Sequence, residues 1–172
     1  GLRPGGAESL LDLHERQAAE AGGGFELDSE ACVELMREGI QYYHRYLALF
    51  HLQRFDLVAR DTARNLRLFT FVSQHARRAE DRAQFEQYRP YVTMMHSRAR
   101  AQQALDQGDF HLGVSRIDEG IAAILACRPD PEDPDAVPCP ELAFLRRWRA
   151  EVERSRPLGP IERLEAQLHL AV

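Results

Sequence analysis

The 172-residue sequence contains no lysine; all 22 of its basic residues are arginine. That excludes a Schiff-base lysine, a Walker A lysine and a lysine general base within this chain. Cysteine is scarce too. Cys32, Cys127 and Cys139 are three in number and include no CxxC pair, so neither a disulfide framework nor a structural zinc site is expected, and a reducing cytoplasm is the natural setting. No apolar run approaches the ~18 residues of a membrane span, and no secretory h-region is present. β-branched residues nowhere alternate with polar ones over the length of a strand, which argues against a sheet. The net charge of −5, from 27 acidic and 22 basic residues, runs against bulk nucleic-acid binding, which usually shows as a basic stripe.

What is present is ordinary for a globule: 44% hydrophobic and 28% charged residues. A chain of this size buries roughly 70% of the surface its unfolded form exposes, so it needs no covalent or metal staples. It starts at Gly1 and ends with Ala171-Val172 inside a helical pattern, which reads as a segment of a longer protein.

Helical signals fill most of the chain. A short helix is expected from about Ala7 to Ala21, broken by Gly22-Gly23-Gly24. Asp28 or Ser29 then caps a long helix, with Glu30 favourable in its first turn. Its apolar residues form two stripes: Val33, Met36, Ile40, Tyr43, Leu47 and Phe50, flanked by Leu35, Tyr42, Tyr46 and Leu49. So wide an arc predicts a helix covered on two sides. After a break near Gln53-Arg54, a helix from about Phe55 to Arg78 turns Phe55, Ala59, Thr62, Leu66, Phe69 and Val72 inward. Another region, about Asp81 to Gln107, offers Phe85, Tyr88, Val92, Met95, Ala99 and Leu105, with a kink or break at Pro90. Gly108 and Asp109 supply a left-handed stop and a new N-cap for a helix from Phe110 to Ala126. The stretch Cys127 to Pro140 holds five prolines and four acids in fourteen residues and reads as an extended acidic loop. A helix from Glu141 to about Arg154 presents Leu142, Leu145, Trp148 and Val152. The expected fold is all-α: antiparallel helical hairpins in an irregular bundle or short solenoid. Its parts are a helical domain over residues 1–126, the acidic loop 127–140, a packing helix 141–156 and a last helix in 157–172.

The turn "LDQGDFHLGVSRIDEGI" resembles the junction between the two helices of a tetratricopeptide (TPR) repeat, where an aromatic is followed by small residues three and ten positions on. Phe110, Gly113 and Gly120 stand at those offsets. Each glycine weakens a helix by ~1 kcal/mol relative to alanine, so two in one helix imply a close approach of backbones. "LFHLQRFDLVARDTARNL" is a looser version, with Phe55, Val58 and Asn65; the 55-residue separation of the two phenylalanines makes the pattern irregular.

"YYHRYL" (Tyr42 to Leu47), "RDTARNL" (Arg60 to Leu66) and "QYRPY" (Gln87 to Tyr91) together resemble an uncharacterised bacterial family that carries a UvrB/UvrC (UVR) motif. The likeness covers most of the chain up to Leu125. "GPIERLEAQLHLAV" is similar to the first helix of the UVR hairpin, with Ile161, Leu164, Leu168, Ala171 and Val172 at its apolar positions; the acidic turn and second helix do not follow. The resemblance implies a non-catalytic role, because the motif is a protein–protein contact in the excinuclease subunits and joins adaptors to their partners elsewhere. No cofactor is implied.

Candidate chemistry is sparse. His44 and His51 share a helix face and His96 could join them from a neighbouring helix, but no HExxH or ExxH pair supports a metal site. Cys127 and Cys139 flank the acidic loop with eleven mixed residues between them, poor spacing for a ligand pair. Arg45, Arg60, Arg64 and Arg67 gather with Tyr42, Tyr43, Tyr46 and Asp61 in a hairpin. Two readings stay open: an Arg–Asp pair with tyrosines tying two helices together, or a groove gripping an acidic peptide through bidentate arginines. Arg77, Arg78 and Arg82 form a basic cluster, as do Arg146, Arg147, Arg149, Arg154 and Arg156 around Trp148; Glu141, Glu151 and Glu153 interleave with the latter, as on a solvated helix face. The expected function is a cytoplasmic, non-enzymatic module that binds another protein or peptide. Nucleic-acid or DNA-repair association is the alternative, and a histidine-based metal enzyme a third reading. The acidic loop could also serve as a tethered ligand for the arginine groove.

Overall fold

The computed structural model describes residues 8–127 and 138–157. Over these the chain forms seven α-helices: α1 (Leu10–Ala21), α2 (Ser29–His51), α3 (Phe55–His75), α4 (Ala79–Glu86), α5 (Arg89–Asp106), α6 (Phe110–Ala126) and α7 (Pro140–Ser155). The protein is an all-α helical bundle. No strand is present among the described residues. One isolated bridge replaces it: the Leu27 N–H donates to the His75 carbonyl at 2.8 Å, and the Arg77 N–H donates to the Leu27 carbonyl at 3.0 Å, tying the entrance of α2 to the exit of α3.

The helix ends follow from local chemistry. Ser9 caps α1, Asp28 caps α2 and Asp109 caps α6, each side chain accepting from a backbone N–H three residues on. Gly108, at φ 77°, takes the left-handed stop between α5 and α6, where any side chain would be strained. Pro90 does not kink a continuous helix. It sits in the first turn of α5, where its missing N–H costs nothing, and α4 has already ended at Glu86.

The helix α3 is the hub, packed by α2 on one flank, α5 on the other and α4 near its end, while α6 lies on α5 and α7 on α6. One core unites Leu11, Leu27, Leu35, Leu68, Val72 and Phe85 from α1 to α4. A second unites Tyr46, Val58, Met95, Ile117, Ile124 and Leu145 from α2 to α7. The glycines of α6 let α5 approach. A Cβ on Gly120 would stand 2.5 Å from Ser97 Oγ, and one on Gly113 would stand 2.7 Å from Leu105 Cδ2.

Three positions expected inward are not. Val33 and Ile40 are each 46% exposed and Tyr88 is 49% exposed. For the two α2 residues the cause lies in the layering: α3 covers the α2 stripe of Leu35, Gly39 and Tyr46, while the start of the neighbouring stripe, at Val33 and Ile40, stands clear of the other described helices. On α3 the buried face is broader than expected and includes Val58, Asn65, Leu68 and Phe71. That helix also ends at His75, three residues short of the predicted Arg78. Most of the acidic loop and the UVR-like positions Ile161 to Val172 lie outside the described residues.

Candidate functional site

The uncovered stripe of α2 opens a cleft of about 610 Å³. Its floor is α3, through Asn65 and Phe69; one wall is α2, with Met36, Ile40, Tyr43 and His44; the other is the α4–α5 corner, with Gln84, Gln87, Tyr88, Tyr91 and Val92. The cleft exists because α2 and α5 both pack on α3 and meet each other only lightly, through pairs such as Tyr43–Tyr91 and Phe50–Arg98. Asn65 fixes the floor by donating from Nδ2 to the Gly39 carbonyl at 3.0 Å. There is little room to spare at that crossing: a Cβ on Gly39 would stand 3.1 Å from Leu68 Cδ2.

Among the described residues no Asp, Glu or Arg lines this cleft, although such residues make up 28% of the chain. The wall and floor carry a tyrosine cluster instead. Tyr43 meets Tyr46 edge to face at 5.5 Å between ring centroids and lies 6.1 Å from Tyr91. Tyr46 is fully buried, and its hydroxyl has no hydrogen-bond partner among the described residues. Burial pushes the Tyr46 and Tyr91 phenols above their ordinary range, so both stay neutral donors at any physiological pH. An unpaired buried hydroxyl costs free energy on the order of 1–3 kcal/mol.

The arginine–tyrosine group expected from the sequence divides between two faces of α2. Tyr43 and Tyr46 face the cleft. Tyr42, Arg45, Arg60, Arg64 and Arg67 share a separate polar hollow with Asp61 and Asp12. Each of those arginines holds a carboxylate of this chain. Arg45 grips the buried Asp61 through two bonds at 2.6 and 2.7 Å, and Arg60 adds a third at 3.1 Å. Arg64 is buried and pairs with Glu38; burial pushes its guanidinium below the ordinary value while Glu38 opposes the shift. Glu38 also accepts from the Leu10 and Leu11 N–H groups, so it caps α1 as well. Arg67 reaches Asp12 at 2.6 Å and Glu15 at 3.1 Å. The guanidinium carbons of Arg45 and Arg64 lie 4.4 and 4.3 Å from the Tyr42 ring centroid. This network locks α1, α2 and α3 together.

The histidines do not converge. His44 borders the cleft, His51 ends α2, and His96 Nδ1 lies 3.0 Å from Thr62 Oγ1 and 3.2 Å from the Ala59 carbonyl oxygen. Among the described residues no group of three His, Cys, Asp or Glu side chains is placed to hold a metal ion. Cys32, Cys127 and Cys139 are free thiols; burial raises that of Cys32 to about 11. On α7, Arg149 is held by Asp118 and Glu153, and Arg154 donates to the Ala150 carbonyl. Arg77 and Arg78 pair with Glu26 and Glu80, and Arg82 donates to the Ala76 carbonyl. No helix among the described residues is long and apolar enough to cross a membrane. Comparison with protein-family models, curated proteins and solved structures gives no match for this chain.

Proposed function

We propose that the protein is a non-enzymatic interaction module whose cleft between α2 and the α4–α5 corner receives an amphipathic helix of a partner protein. One observation carries the reading: an uncharged, tyrosine-rich cleft in a chain otherwise dense in charge. Interface cores are depleted of charge and enriched in tyrosine and methionine. A helix laid between two parallel walls is a common way of completing such a groove, and TPR-like hairpins of the kind read from the sequence present concave surfaces of this sort. The lining asks for an apolar partner face without charges. In this reading the module belongs to a UVR-motif protein of the cytoplasm, and the arginine network on the other face of α2 is its frame.

The test places a photo-cross-linking residue at Leu52, away from the cleft, and another at Tyr88 on its rim, and captures partners from lysate. Capture is repeated with Ile40→Glu in the chain carrying the Tyr88 cross-linker. Ile40 is 46% exposed, so a charge there leaves the fold intact while burying a carboxylate under any bound helix. One partner cross-linked from Tyr88, lost with Ile40→Glu and mapped to a helix of that partner, is the expected result. A partner captured equally from Leu52, or equally by the Ile40→Glu chain, would move the binding surface elsewhere. Cross-links only to a second copy would make the cleft a self-association site and overturn the reading.

A further inference from the structure

A different face of α5 lines a second hollow of about 270 Å³, closed by Leu66 of α3 and by α6. Its chemistry is the reverse of the cleft's. Arg89, Arg100 and Arg116 all line it. Glu86 holds Arg89 through two bonds, both 2.6 Å. Arg100 and Arg116 share one carboxylate, that of Glu119, at 3.1 and 2.7 Å. Among the described residues three guanidinium groups thus face two carboxylates, leaving one positive charge over in a chain that is acidic as a whole.

Donors are in excess as well. Arg100 and Arg116 each spend a single N–H on Glu119, whereas a guanidinium carries five. Thr93 lines the same hollow at 8% exposure, and its hydroxyl has no hydrogen-bond partner among the described residues. Gly120 and Ala123 add no bulk. His96 also lines the hollow; burial first and then the Arg100 charge hold its imidazole under the ordinary value, while Glu119 opposes the shift.

We propose that Arg100, Arg116 and Thr93 form a binding site for a small oxyanion, a free carboxylate or phosphate group. The guanidinium groups come from adjacent helices, and Glu119 holds both of them before any ligand arrives. The oxyanion neutralises the surplus charge, takes the open N–H donors beside Glu119 and accepts from the Thr93 hydroxyl. This site is independent of the cleft and of whatever occupies it.

The experiment is a calorimetric titration at low ionic strength with inorganic phosphate in one arm and acetate in the other. The proteins are the wild type, Arg100→Gln, Thr93→Val and the surface control Arg77→Gln. The His96 ring is followed by proton NMR in parallel. One saturable site is expected for the preferred anion, weakened about tenfold or more by Arg100→Gln, as a charge-assisted hydrogen bond predicts. Thr93→Val should weaken it several-fold and Arg77→Gln should leave it unchanged. Occupancy should raise the His96 pKa, because the anion offsets the Arg100 charge. The stronger arm tells a phosphate from a carboxylate ligand. Non-saturating heats that are the same in Arg100→Gln, or an unmoved His96, would overturn the proposal.

Discussion

Replacing Gly120 by alanine pits two effects of opposite sign against each other. Alanine in a helix interior is favoured over glycine by ~1 kcal/mol, so propensity alone predicts a stabilised protein. The structure predicts otherwise. A Cβ at this position would lie 2.5 Å from Ser97 Oγ, 2.6 Å from Ser97 Cβ and 3.2 Å from Leu145 Cδ1. Leu145 can yield by turning a methyl group. Ser97 cannot, since its Cβ is fixed to the backbone of α5 and no rotamer moves it. Relief requires α5 and α6 to part, and overpacking of that kind costs about 1–3 kcal/mol. Parting also strains the bond from Ser97 Oγ to the Arg116 carbonyl, 2.7 Å long and worth about 1 kcal/mol. The balance is a loss of roughly 1–3 kcal/mol, or about 3–9 °C in Tm for a chain of this length.

Chemical denaturation of four proteins tests this: wild type, Gly120→Ala, Ser97→Gly and the double variant. Ser97→Gly removes both clashing atoms, so in that background Gly120→Ala should turn neutral or stabilising. The sign reversal is what identifies a steric contact rather than a general weakness of α6. Gly113→Ala is the internal comparison. Its new Cβ would meet Leu105 Cδ2 at 2.7 Å and Cγ at 2.9 Å, atoms of a flexible side chain, so its cost should be smaller. A Gly120→Ala protein as stable as wild type would refute the close-packing account of both glycines.

Two more outcomes follow from charges. Asp61→Ala should destabilise the protein by about 2–3 kcal/mol in urea unfolding, below the full 3–5 of a broken buried pair because its partners return to water. Arg45 is indeed 48% exposed against 0% for Asp61. A loss under 0.5 kcal/mol would show that the triad adds nothing. For His96 the sign runs as acid destabilisation: the folded imidazole is held below its ordinary 6.5 by burial and by Arg100, so protonation favours the unfolded chain. Its contribution is intact above about pH 6.5 and is lost as pH falls from there towards the lowered folded value. Unfolding followed from pH 7.5 to 5.5 should show stability falling in that window, with a flatter profile for His96→Gln. An identical slope in the two proteins would count against the shift.

Much of the architecture was legible because helix ends obey local chemistry. Asp28, Gly108 and Asp109 act where their side chains or backbone freedom predict, and α6 spans Phe110–Ala126 as the pattern indicates. Side chains that answer to distant partners were harder to place. The glycines Gly113 and Gly120 could be read as a close approach, yet nothing local says that Leu105 and Ser97 are what they approach. The arginine–tyrosine group was legible as a set and illegible as a geometry. Residues 42 and 43 are adjacent in sequence, but a helix turns ~100° per residue, so Tyr42 joins the arginines while Tyr43 joins the cleft. The cleft itself was hidden for a deeper reason. A stripe such as Met36, Ile40 and Tyr43 has the same composition whether its cover is a helix of its own chain or of a partner, because both exclude water in the same way. Periodicity therefore reports that a face is to be covered and says nothing about by what. The facing corner shows the same limit from the other side: Gln84, Gln87 and Tyr88 are exposed, and amides and a phenol tolerate water where aliphatic side chains would not.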